Sequence, residues 1–106
     1  MLARAVAELL PPMQFAESLE TSQIYSLKGL LDERTPFIIN RPFRHVHHTA
    51  SKIAIVGGGP HMLPGEISLA HRGVLFLDEL AEFPRDILDT LRQPMEEKCI
   101  HIARAA

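Results

Sequence analysis

Two acids, Asp78 and Glu79, directly follow four apolar residues, Val74-Leu75-Phe76-Leu77. An apolar run without alternation is what a strand covered on both faces shows, as in a parallel sheet with helices on each side. Open α/β sheets bind ligands beyond the carboxyl ends of their strands, which is where this pair falls. The chemistry that suits it is phosphoryl transfer from ATP, which needs Mg²⁺ on the phosphates and a group to orient the attacking water. Asp78 is the candidate metal residue, holding Mg²⁺ through water, because a hard cation takes carboxylate and water oxygens. Glu79 is the candidate catalytic residue, polarising the water for in-line attack. The bland alternative is that the two acids merely open the next loop.

Other polar clusters invite weaker readings. His45, His47 and His48 pose a zinc question. Adjacent strand residues face opposite ways, which separates His47 from His48, while His45 and His47 share a face. A structural zinc site wants four ligands, and no Cys, Asp or Glu stands near these histidines in the sequence. A polar role in a hairpin is therefore the expectation. Gly57-Gly58-Gly59 precede Pro60 and lack a helix that would aim its dipole at an anion, so a flexible hairpin tip is expected there rather than a phosphate cradle. No GxxxxGK[ST] occurs in the 106 residues.

The elements that must position these groups follow from periodicity. Leu2, Val6, Leu9 and Leu10 are spaced as a helix over residues 1–10, stopped by Pro11-Pro12. A second helical pattern runs over 15–31 through Phe15, Leu19, Ile24, Leu27, Leu30 and Leu31, with Thr21 and Ser22 as its weak points. Thr35-Pro36 breaks it, and Phe37-Ile38-Ile39 reads as a short extended piece. Residues 41–64 read mostly as loop or hairpin, with Ile53–Val56 as a strand candidate ending in the glycines. A short helix is expected over 66–71, with Gly73 where a helix C-cap would sit. Residues 82–98 read as a helix with Pro84 in its first turn, a stripe of Ile87, Leu88, Leu91 and Met95, and Pro94 kinking or ending it. Ile100-His101-Ile102 alternates like a strand. The helix stripes are expected to be core. The whole is α/β, one domain over 1–106.

Composition sets the outer limits. The chain is 46% hydrophobic and 23% charged, ordinary for a globular domain, and carries a net charge of -2. Its single cysteine, Cys99, excludes an internal disulfide and a cysteine-based zinc site. Its longest apolar run is shorter than the roughly 20 residues that span a bilayer. No acid occurs between Arg34 and Gly65, a stretch that holds Arg34, Arg41, Arg44 and Lys52. Such a segment attracts phosphate or nucleic acid, or is a solvated loop with a few cations.

The segment RPFRHVHHTASKIAIVGGG, followed by PGEISLAHRGVLFLDELAEFPRDILDTLRQPMEE, resembles the magnesium-chelatase-like AAA+ ATPases, most of all the competence-protein type. The resemblance runs over nearly the whole chain. It implies a partial P-loop NTPase (AAA+) core of parallel strands flanked by helices, with a hairpin insert at about 41–62. It gives Asp78 and Glu79 the Walker B roles and likens MLARAVAELLPP to the helix after a Walker A lysine and threonine. The chain then begins after that loop and stops before the sensor asparagine, which makes these residues inactive by themselves. His45-Val46 stands where relatives commonly show Ala-Pro. The resemblance further implies ATP and Mg²⁺ as cofactors, DNA as a remodelling target, a ring of identical subunits and a cytoplasmic place without membrane contact. Two other functions stay open: a non-catalytic nucleic-acid-binding module, and a magnesium-chelatase subunit of the tetrapyrrole pathway.

Overall fold

A computed structural model describes residues 2–104. At its centre lies a three-stranded parallel sheet in the order β1-β4-β5, formed by β1 (Phe43–His47), β4 (Val74–Asp78) and β5 (His101–Arg104). The apolar run is the middle strand: Val74, Leu75 and Leu77 are fully buried and Phe76 nearly so. Alternation along β4 sends Leu75 and Leu77 into one core, with Val46, Ile55, Ala70, Phe83, Ile87, Leu91 and Ile100. On the other face Phe76 stacks on Phe43 at 6.2 Å, and the Arg4 guanidinium of α1 (Leu2–Leu9) lies 4.9 Å above the Phe43 ring. Helices therefore cover both faces, as expected for an α/β core.

Several expectations are corrected. Phe43–His47, read as part of a hairpin insert, is a strand of the main sheet, registered against β4 from Phe43↔Val74 to His47↔Asp78. Only Val46 of it is buried, so it carries little period-two signal. The antiparallel hairpin is confined to β2 (Gly57–Gly58) and β3 (Leu63–Pro64). Its glycines take φ of 96°, 121° and 78°, a region open to glycine at little cost, which explains the run of three. Ile53–Val56, expected as a strand, belongs to α3 (Lys52–Val56), because the Ser51 hydroxyl caps it by accepting from the Ala54 N–H at 3.1 Å. Phe37-Ile38-Ile39 joins no strand.

The helices differ in extent and in the face they bury. α2 spans Phe15–Leu27 and buries Ser18, Thr21, Ser22 and Tyr25, while Phe15, Leu19 and Leu27 of the expected stripe are exposed. Val6 and Leu9 of α1 are likewise exposed, and the Leu2 side chain lies outside the described residues. α4 covers Glu66–Leu69, and the left-handed residue after it is Arg72 (φ 65°), not Gly73. Gly73 is required for a different reason: a Cβ there would collide with the Pro42 carbonyl oxygen, which accepts the Val74 N–H at 2.8 Å. The 82–98 helix is divided into a 3-10 turn (Leu80–Glu82), α5 (Arg85–Thr90) and α6 (Arg92–Glu96). Pro94 excludes the Thr90 carbonyl from a continuous helix, so α5 ends at Thr90 and the break falls at Leu91. Ile87 and Leu91 are buried as expected, and Met95 is exposed.

Candidate active site

Parallel pairing sets the site. β1 and β4 run side by side and end together, so the residues just past both strands meet at one mouth of the sheet. Asp78 is the last residue of β4, with its side chain about 33% exposed. Glu79 follows it and is more open, at 57%. Each acid meets a histidine from the β1 side. The Asp78 Oδ2 lies 3.5 Å from His45 Nε2, and the Glu79 Oε2 lies 3.7 Å from His48 Nδ1.

The supports of these groups are particular. Glu79 adopts φ 57° and ψ 62°, left-handed backbone that non-glycine residues rarely take and that concentrates at functional sites. The turn redirects the chain into the 3-10 turn over Leu80–Glu82. His45 packs edge-on against the Phe76 ring at 4.9 Å, which fixes its imidazole beside the strand end. His48 sits edge-on to Phe83 at 6.5 Å, and its Nδ1 is shielded from solvent without a hydrogen-bond partner. His47 and His48, expected on opposite faces, have ring centroids 4.4 Å apart, because His48 stands in the turn after β1 and not on the strand. The third metal-binding side chain missing from the sequence neighbourhood is present in space: ligand atoms of His47, His48 and Glu79 all lie within 4.8 Å of one another.

The flanking motif residues position these strands. Arg44 of β1 makes a two-pronged ion pair with Glu66 at the start of α4, at 2.7 and 2.9 Å. The Glu66 carboxylate raises the Arg44 guanidinium further above its ordinary range, and the pair ties β1 to α4. Lys52 of α3 reaches Asp86 of α5 at 2.7 Å, and Arg41 lies 3.5 Å from Glu17 of α2. Three cations of the acid-free stretch are thus matched by acids from elsewhere in the chain.

The three parallel strands with helices on both faces, and two acids at the mouth of the central strand, define part of a P-loop NTPase core. The chain matches the family described as magnesium chelatase, subunit ChlI, over residues 1–106, and it belongs to that family. It is 51% identical over 104 residues to "Uncharacterized protein YifB" of Salmonella typhimurium, covering 98% of this chain and 20% of that protein. To an uncharacterized protein of Mycobacterium tuberculosis it is 50% identical over 105 residues, covering 98% of this chain and 21% of the relative. To "Competence protein ComM" of Haemophilus influenzae it is 51% identical over 107 residues, covering 99% and 20%. The chain therefore spans about a fifth of the length of these relatives. No helix among the described residues is long and apolar enough to cross a membrane.

Proposed function

We propose that this chain supplies the metal-holding and water-orienting half of an ATP-hydrolysing site in a magnesium-chelatase-like AAA+ protein. The observation that supports it best is the placing of Asp78 and Glu79 together at the carboxyl end of the buried central strand of a parallel sheet. The donor chemistry fits Mg²⁺: a partly exposed carboxylate on a rigid strand suits a cation that keeps most of its waters. When bound, Mg²⁺ draws charge from the phosphate oxygens. Asp78 would hold the hydrated cation, with His45 steadying its Oδ2. Glu79 would orient and deprotonate the attacking water from its more open position. The nearest imidazole to the Glu79 carboxylate is that of His48, 3.7 Å away and beyond hydrogen-bond length.

The phosphate cradle and its lysine are not among these residues, since no GxxxxGK[ST] occurs in the sequence. The 106 residues alone are expected to leave ATP intact. The Haemophilus influenzae relative is named a competence protein. DNA as the remodelling target, a ring of identical subunits and a cytoplasmic place are proposed for the whole protein from the family resemblance alone. A purely nucleic-acid-binding role is less well supported, because Arg41, Arg44 and Lys52 are already engaged by Glu17, Glu66 and Asp86. A role in the tetrapyrrole pathway has only the family description in its favour.

The test is ATP turnover by a longer chain that includes a phosphate-binding loop. It should hydrolyse ATP, lose on the order of a hundredfold or more with Glu79→Gln, and need a higher Mg²⁺ concentration for its residual turnover with Asp78→Asn. An unchanged rate in Glu79→Gln sinks the reading.

A further inference from the structure

His47 at the end of β1, His48 in the turn after it and the carboxylate that follows β4 form a cluster that phosphoryl transfer does not need in that form. One ligand atom each from His47, His48 and Glu79 lies within 4.8 Å of the other two. A tetrahedral cation with bonds of about 2.0–2.2 Å holds its ligands roughly 3.4 Å apart, so a contraction of little more than an ångström closes the set. Glu79 can make most of that movement, being more than half exposed and fixed only at its backbone. A second observation points the same way. His48 Nδ1 is sealed from solvent and has no hydrogen-bond partner, while Glu79 Oε2 stands 3.7 Å from it, beyond hydrogen-bond length. A buried polar nitrogen left unpaired is costly, and a cation between it and the carboxylate would satisfy both. The His47 ring is held in place by Thr49, whose hydroxyl lies 2.9 Å from Nδ1 and whose backbone N–H lies 3.3 Å from it.

We propose that His47, His48 and Glu79 form an inhibitory binding site for a borderline transition-metal dication of the Zn²⁺ class, separate from the Mg²⁺ position at Asp78. Two imidazoles and one carboxylate leave a fourth position for water and suit Zn²⁺ or Co²⁺, whereas Mg²⁺ prefers six oxygens and keeps its waters. Binding takes the Glu79 carboxylate as a ligand and so withdraws it from the attacking water. The inhibition rests on the hydrolytic role proposed above for Glu79. The binding itself does not.

The experiment is calorimetric titration of the 106-residue chain with ZnCl₂ in the presence of excess Mg²⁺ and without nucleotide. One Zn²⁺ per chain is expected, with affinity falling at least tenfold in His48→Ala and in Glu79→Gln, and unchanged in His61→Ala on the hairpin. Co²⁺ added to the unsubstituted chain should show the visible absorption of a low-coordinate site, lost in His48→Ala. No stoichiometric binding, or binding indifferent to His48→Ala and Glu79→Gln, overturns the proposal. In a longer chain that turns over ATP, Zn²⁺ should inhibit and His48→Ala should relieve the inhibition. Turnover without zinc binding removes this site and leaves the hydrolytic reading standing. Zinc binding in a chain whose turnover ignores Glu79→Gln does the reverse.

Discussion

Glu79 holds left-handed backbone, φ 57° and ψ 62°, at the point where the central strand gives way to a 3-10 turn. For a residue with a Cβ that conformation costs about 1–2 kcal/mol, and Glu79 takes it where the central strand ends. A glycine there sheds the strain but is freer in the unfolded chain, by about 0.5–1 kcal/mol. Glu79→Gly is therefore expected to be more stable than Glu79→Ala by about 0.5–1 kcal/mol in urea unfolding, although both lose the carboxylate. Equal midpoints would mean that the turn relaxes in solution. The place of the acids was legible in the sequence, because an unbroken apolar run followed by two carboxylates has few arrangements in an α/β core. Their histidine partners were not. His45 and His48 reach the site only through the parallel register of β1 with β4, and nothing local in FRHVHH reports that register.

The elements divide between those whose burial is apolar and those whose burial is polar. β4 and the pair formed by Ile87 of α5 and Leu91 just past its end were legible because they bury hydrocarbon at the expected period. α2 reverses the rule. Its buried face, spaced 18, 21, 22 and 25, docks by hydrogen bonds: Tyr25 OH donates to the Leu69 carbonyl at 2.8 Å, and the Ser22 hydroxyl accepts from the Ile38 N–H at 2.8 Å. Hydrophobic periodicity points to the opposite side of such a helix. β1 was hidden for a related reason, since Arg44 is spent on Glu66 and His45 on Phe76, leaving Val46 as its one buried apolar residue. Gly73 joins these elements, because Pro42 can approach β4 only where no Cβ intervenes. Gly73→Ala should force β1 away from the start of β4 and cost about 1–3 kcal/mol by thermal or urea unfolding. A loss within a few tenths of that of a surface substitution would show that the close approach is not needed.

For the molecule as a whole, the docking of α2 depends in part on charge, and Tyr25 reports on that helix, as the chain has one tyrosine and no tryptophan. The hydrogen bond from His71, then the one from Arg72, hold the Glu20 carboxyl below the usual range. Glu17 is also lowered, first by the Gln14 backbone N–H and then by the Arg41 and Arg72 charges. Folded values below the unfolded ones mean that these carboxylates stabilise docking fully above the ordinary Glu value of about 4.3 and stop doing so as pH falls through their lowered values. Burial raises the Tyr25 phenol, so its contribution is present below the ordinary value of about 10 and is lost as pH rises through the raised one. The near-ultraviolet signal of Tyr25 should accordingly stay level across the neutral range, fall on an acid limb below about pH 4, and change on an alkaline limb beyond the pH at which free tyrosine ionises. Glu20→Gln removes one proton-linked contact and should make the acid limb shallower while leaving the alkaline limb in place. If both limbs survive that substitution unchanged, the contacts of His71 and Arg72 with Glu20 do not hold α2 against the turn that precedes β4, and the hydrogen bonds of Tyr25, Ser22 and Thr21 must carry the docking by themselves.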